Sequence, residues 1–251
     1  GQGGVVRLNA PVDEILQADG AAVGVRLESG EAIPAVQVVC NADATWAYAV
    51  MIRKPRKRLT PPKVAGSDHS MGLFVWYFGT DRQYTALPHH SILLGPRFGG
   101  LLDDIFRRKR LAPDFSIYLH RPTATDPALA PSGCDTFYAL CPVPNLDADI
   151  DWVAESERRR AAIQARLEAT VLPELGRHIV TSRILHPLHF RDELNSTKGA
   201  GFGLEPLLWQ SAWFRPHNRS EELRNLVMVG AGTHPGAGVP GVLTSAQMVD
   251  Q

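Results

Sequence analysis

The 251-residue sequence predicts an α/β chain of the mixed α+β kind, in which one unit is interrupted by a second and then resumed. Three observations predict it. Residues 5–41 alternate like short strands, divided by turn signals at Asp19-Gly20 and Ser29-Gly30. The middle of the chain changes character, with four apolar strand segments and two helical ones. Residues 202–251 return to a buried strand, Asn225 to Gly230, followed by a glycine-rich loop and a helix.

The elements follow in order. Val5 to Leu8, Val12 to Leu16, Val23 to Leu27 and Val36 to Ala42 form a β-meander that delivers a final buried strand. Asp43 can cap a short helix through about Met51, and the proline pair Pro61-Pro62 then breaks the pattern. A boundary is expected between 53 and 68, giving segments 1–55, 56–200 and 201–251. In the middle segment Leu73 to Phe78 is apolar on both faces, and Ser91 to Leu94, Phe115 to His120 and Thr136 to Cys141 supply three more strands. Helices fit residues 99–109, with Leu102, Ile105 and Phe106 inward, and 151–171, with Trp152, Ile163, Leu167 and Val171 at helical spacing before Pro173. Arg158, Arg159 and Arg160 cannot share one helix face and are expected mostly in solvent beside Glu155 and Glu157.

Composition excludes several classes of function. Lys plus Arg and Asp plus Glu each number 26, so net charge does not argue for a nucleic-acid partner. Cys40, Cys134 and Cys141 lack metal-site spacing and suggest buried thiols in a reducing compartment. No apolar run is long enough to span a bilayer. G-x-S-x-G, H-E-x-x-H and a P-loop lysine are all missing, which leaves a hydrolase or kinase unsupported. His89-His90 and His186-x-x-His189 have no carboxylate at ligand spacing, so no metal site is expected. The basic stretch Arg53 to Lys63 reads as a solvated loop, as a contact with an anionic membrane surface or as a contact with nucleic acid.

The stretch 230–241, G-A-G-T-H-P-G-A-G-V-P-G, contains a G-x-G-x-x-G at Gly236, Gly238 and Gly241. Only ten residues follow Gly241, too few for the helix and returning strand of a dinucleotide-binding βαβ unit. The expectation is instead a loop that something approaches closely, opening a helix whose free N–H groups favour negative charge. Trp213 to Arg219 is dense in aromatic and polar groups. As structure alone, Trp213 and Phe214 would be core while Arg215 and His217 tie down a loop; as function, Arg215 and His217 would orient a substrate or tune a cofactor. Phe74, Trp76 and Phe78 carry a similar choice between plain core and the floor of a pocket for a long apolar ligand.

The stretch Gly230 to Val242 resembles the C-terminal signature of bacterial and fungal phytoene desaturases, FAD-dependent carotenoid-forming flavoproteins. The likeness extends through Leu8 to Val12, Asn41 to Asp43, Leu94 to Arg97, Asp114 to His120, Cys141 to Pro144, Phe190 to Asn195, Glu205-Pro206 and Gln210 to Arg219. The resemblance implies part of an FAD-binding domain like those of glutathione reductase and the amine oxidases, carrying an inserted α+β substrate domain. It implies that Gly232 and Thr233 donate backbone N–H groups toward the pyrophosphate and ribityl chain, that Val239, Pro240, Gly241 and Val242 lie along the isoalloxazine, that Gly230 and Gly238 belong to the same cofactor site, and that Val12 meets the adenine through its backbone. It further implies an apolar carotenoid substrate in a tunnel lined by Phe74, Trp76 and Phe78, with Arg215 and His217 near the flavin. A quinone or oxygen as electron acceptor and a cytoplasmic protein on the inner face of the membrane complete the expectation. The chain is expected to be the C-terminal half of such an enzyme, needing its N-terminal half to hold FAD. A carotenoid isomerase, hydratase or oxidase on the same scaffold, or a non-catalytic remnant, are the alternatives.

Overall fold

The computed structural model describes residues 3–53 and 66–250. They form two compact units: Gly1–His69 with Asn195–Thr197 and Phe202–Gln251, and Ser70–Leu194 with Lys198–Gly201.

The first unit begins with an antiparallel meander of β1 (Val12–Ala18), β2 (Ala21–Leu27) and β3 (Ala32–Pro34). Asp19 and Gly20 join β1 to β2 with φ of 45° and 75°, the paired left-handed geometry of a tight hairpin. The alternation sends Ile15 and Ala22 into the core. β4 (Val38–Cys40) pairs in parallel with β10 (Leu226–Met228), Val38 opposite Leu226 and Cys40 opposite Met228. Asp43 caps α1 (Ala44–Trp46) by accepting from the Trp46 N–H at 2.9 Å, and a π-helical turn continues it through Ala47–Met51. Residues 5–8 are not a strand: Val5, Val6 and Leu8 are exposed, and an alternating pattern without a partner strand does not hold one.

The second unit is a five-stranded antiparallel sheet, ordered β6 (His90–Leu93), β7 (Ile117–His120), β8 (Asp135–Val143), β5 (Gly72–Thr80), β9 (Ile179–Leu185). Its helices are α2 (Phe98–Phe106), α3 (Trp152–Thr170), α4 (Leu175–His178) and α5 (Pro187–Leu194). Asp151 caps α3 through the Val153 and Ala154 N–H groups. Trp152, Ile163 and Leu167 of α3 meet Phe74, Trp76, Phe78, Phe137, Ala139 and Cys141 of the sheet in one apolar core. A buried Asp135 carboxylate at the end of β8 accepts from Arg121 Nε and Nη2 (2.9 and 3.0 Å), Thr123 Oγ1 (2.7 Å) and the Tyr84 N–H (2.7 Å).

Four expectations are corrected. In α2 the buried residues are Leu101, Asp104 and Ile105, because Arg97 and Arg110 draw Asp104 inward, while Leu102 faces out. Arg159 is buried, its guanidinium 5.1 Å from the Phe115 ring centroid, because a planar cation can lie on an aromatic face. Cys134 is only partly buried, unlike Cys40 and Cys141, because it lies before β8 and not in it. Trp213 and Phe214 are exposed, at 67 and 52%, and so are not core. Most of the basic stretch Arg53 to Lys63 lies outside the described residues; Arg53 itself pairs with Asp13 at 2.5 Å.

Candidate flavin loop and substrate sheet

In the first unit the loop that follows β10 is held by residues from three segments. Val229 N–H continues the parallel pairing by donating to the Cys40 carbonyl at 2.9 Å, so the chain leaves at the carboxyl ends of β4 and β10. Ligands of parallel α/β sheets bind outside those ends. Gly230 has φ of 97°, and a Cβ there would run into Asn41 Oδ1. Its N–H donates to Ser245 Oγ at 2.8 Å, and that hydroxyl donates to the Val242 carbonyl at 2.7 Å, which anchors the start of the loop to α6 (Val239–Gln247). Gly232 packs on α1, where a Cβ would stand 3.0 Å from Ala44 Cβ.

Thr233 is buried, with its N–H toward the Gly230 carbonyl at 3.3 Å and its hydroxyl donating to the same oxygen at 3.1 Å. Its amide therefore closes the loop upon itself. Asn218 Nδ2 reaches the His234 carbonyl at 2.9 Å and the Met228 carbonyl at 3.1 Å, bracketing the loop from outside. Arg215 is buried and donates to the carbonyls of Ala231 (2.7 Å) and Leu204 (3.1 Å). Among the described residues it has no carboxylate partner, and burial alone pushes its guanidinium below the usual arginine range. His217 instead pairs with Glu221 at 2.9 Å and stands beside the Trp213 ring at 4.8 Å.

The tip of the loop is open. Gly238 has φ of 104° and open space where a Cβ would sit, Val239 is exposed and no side chain caps α6. Among the described residues nothing claims the first-turn amides of Val239 and Gly241, and the Val242 N–H is the first to find a carbonyl, that of Gly238. These features fit a flat, electron-accepting ring: an uncapped helix N-terminus, a glycine cradle and a buried cation with no anion beside it. Val12 opens β1 in the same unit, half-buried and paired with Leu27.

The second unit disagrees with the expected tunnel lining. Phe74 and Trp76 are 0% exposed and Phe78 2%, all on the sheet face that packs under α3. Phe78 stacks on Phe137 with centroids 5.1 Å apart, Phe74 on Trp152 at 6.4 Å, and Trp76 Nε1 donates to Ser182 Oγ at 2.7 Å. They are core because β5 is central and α3 covers that face. The opposite face carries Tyr77, Tyr118, Tyr138 and Leu140, with Tyr138 5.6 Å from Tyr77 and 5.7 Å from Tyr118. Burial first, then the hydrogen bond with Tyr118, pushes the Tyr138 phenol up to about 12, so it stays neutral. Along the same face His120 lies across from His90, and His89 reaches both. The sequence separated the first of these from the other two by some thirty positions, and only strand register unites them. His186 stacks on Trp152 at 6.0 Å and His189 pairs with Glu193, so that second histidine pair remains structural.

Residues 2–249 match the family described as flavin-containing amine oxidoreductases. The chain belongs to that family. Within it, the chain is 52% identical over 255 residues to a neurosporene-forming phytoene desaturase of Cereibacter sphaeroides, covering 99% of this chain and 49% of that one. It is 45% identical over 247 residues to a lycopene-forming phytoene desaturase of Pseudescherichia vulneris, covering 98% and 50%. An oxidoreductase from Methanosarcina mazei shares the fold at a TM-score of 0.58 and 20% identity, over 96% of this chain and 48% of that one. A putrescine oxidase variant does so at 0.56 and 15%, over 97% and 49%. The family fold is thus the amine-oxidase type of flavin-binding fold, and the chain spans about half the length of the curated relatives it matches. No described helix is long and apolar enough to cross a membrane.

Asn218 and Ser245 are the loop residues that sequence reasoning missed. Asn218 lay inside the quoted stretch Trp213 to Arg219, but a buried amide that bridges two carbonyls leaves no pattern of its own.

Proposed function

We propose that this chain is the flavin-lid and substrate-sheet half of a carotenoid desaturase that uses FAD. The carrying observation is the glycine loop at the carboxyl ends of β4 and β10, opening an exposed, uncapped α6. The identity to phytoene desaturases supports the substrate class. FAD, when bound, supplies the two-electron acceptor for removing hydrogen from a carbon–carbon bond.

The chain's own residues then have separable tasks. The Val239 and Gly241 amides at the start of α6 favour negative charge on whatever ring edge meets them. Arg215 holds the Ala231 and Leu204 carbonyls and sets behind the loop a positive charge that has no carboxylate partner among the described residues. Gly230 lets the backbone pack against Asn41 where any Cβ would collide, and Gly232 lets it lie close on α1. In the second unit the substrate side is the face with Tyr77, Tyr118, Tyr138 and Leu140, since α3 covers the other. A wholly apolar polyene is recognised by shape and excluded water rather than by hydrogen bonds.

The finer reading is that this half works with a segment equivalent to the rest of its relatives' length, at the inner membrane surface, with a quinone or oxygen taking the electrons. The test joins this chain to that segment from a relative and expresses the fusion in a host that accumulates phytoene. Longer-wavelength carotenoid absorbance is the expected result, and its loss in Gly230→Val should follow. Phytoene left unchanged by a soluble, flavin-loaded fusion would refute the reading. The chain alone is expected to purify colourless; flavin absorbance retained through gel filtration would show that no second segment is needed.

A further inference from the structure

We propose that His89, His90 and His120 form a binding site for one borderline first-row divalent cation, of the zinc or copper type, on the edge of the sheet in the second unit. One ring nitrogen from each lies within 4.8 Å of the others, with His90 exposed and His89 and His120 partly buried. The geometry arises from pairing. His90 is the first residue of the edge strand β6 and stands directly across from His120 at the end of β7. His89 precedes the strand, so it escapes the alternation that would turn its ring to the other face, and its ring centroid lies 4.6 Å from that of His120.

The outer nitrogens of His89 and His90 are already oriented. His89 Nδ1 meets Thr125 Oγ1 at 2.5 Å and His90 Nδ1 meets the Tyr118 hydroxyl at 2.6 Å. Metal-bound imidazoles are held in this way, with the nitrogen away from the metal fixed by a second hydrogen bond. On His89 and His90 the nitrogen that remains for a ligand is Nε2. His89 Nε2 and His120 Nε2 are 2.7 Å apart. Zinc–imidazole bonds of about 2.0–2.1 Å in a tetrahedron need roughly 3.3 Å between ligand atoms, so the rings must open by about 0.6 Å.

A cation would replace the single proton that can sit between the two Nε2 atoms, leaving His120 Nδ1, buried and with no partner among the described residues, as an N–H. Three imidazoles without a carboxylate match zinc, copper or nickel and not magnesium or calcium. The exposed side at His90 leaves a fourth position to water or a ligand. Because β6 is the outermost described strand of the sheet, next to β7, a cation shared by His90 and His120 would staple the sheet edge.

The experiment uses the flavin-loaded fusion described above, stripped with a chelator. Zn²⁺ is titrated by calorimetry, Co²⁺ by its visible ligand-field bands, and the thermal midpoint is followed with each. We expect one saturable equivalent, a midpoint that rises with Zn²⁺, binding at least tenfold weaker in His90→Gln and His120→Gln, and roughly tenfold weaker in Tyr118→Phe. His178→Gln, on the same unit, should bind as the parent does. Because His90 is exposed, His90→Gln decides the matter even if His120→Gln does not fold. No saturable Zn²⁺ binding, equal binding in His90→Gln, or an equal midpoint rise with Mg²⁺ would overturn the proposal.

Discussion

The placement of β5's aromatic residues gives the sharpest test of which face of the sheet meets substrate. Phe78 is 2% exposed and stacks on Phe137 with ring centroids 5.1 Å apart and on Trp76 at 4.2 Å. Phe78→Ala removes a ring from a packed layer beneath α3, so both the transfer term and the residual cavity apply. The expected cost is about 3–5 kcal/mol, which lowers the thermal midpoint of a unit this size by roughly 10 °C or more. Tyr77→Ala, one residue earlier and on the opposite face, removes a side chain from a residue that is 41% exposed and should cost about 1 kcal/mol. The assay pairs the unfolding midpoint of the fusion with the absorbance spectrum of the carotenoids it makes. Phe78→Ala should lower the amount of folded protein but leave the product spectrum per folded molecule unchanged, while Tyr77→Ala should alter products at near-parental stability. A Phe78→Ala protein with parental midpoint and altered products would refute the core assignment and restore the tunnel reading for Phe74, Trp76 and Phe78.

Three other outcomes are expected. Asp135→Asn should destabilise the second unit by about 3–5 kcal/mol, read from the denaturant midpoint, because it leaves the buried Arg121 guanidinium without its bidentate charge partner. Ser245→Ala should cost about 1–3 kcal/mol by orphaning the buried Gly230 amide, and should weaken flavin retention in the fusion on a desalting column more than Thr244→Ala, whose hydroxyl bonds only within α6. Stability should fall with acid. Burial would raise the Asp104 carboxyl, but hydrogen bonds from Arg110 and Arg97 outweigh it and hold the group below its usual range; Asp114 is held down likewise by Arg97. Carboxyls depressed in the folded state contribute stability above their unfolded value and lose it as pH drops through the folded one, so the loss should begin below about pH 4 and shrink in Asp104→Asn, as melting against pH would show.

The sequence alone determined the elements whose cause is local or periodic. β1, β2, β5, β7, β8 and α3 follow from apolar alternation or helical spacing, Asp43 from capping chemistry, and the loop at Gly230 to Gly241 from a backbone that only glycine permits. The family, too, was legible, because the loop's residues stand in a run. Tertiary structure decided what depends on partners distant in the chain. Residues 5–8 alternate as well as β1 does, yet have no strand to pair with. Leu73 to Phe78 is apolar on both faces, so its composition could not say which face α3 would cover. Asn218, Ser245 and Arg215 act on the glycine loop through backbone carbonyls and amides, which carry no side-chain signature. His120 joins His89 and His90 only because antiparallel register sets it across from the second of them, and register is fixed by the whole sheet rather than by any segment of it.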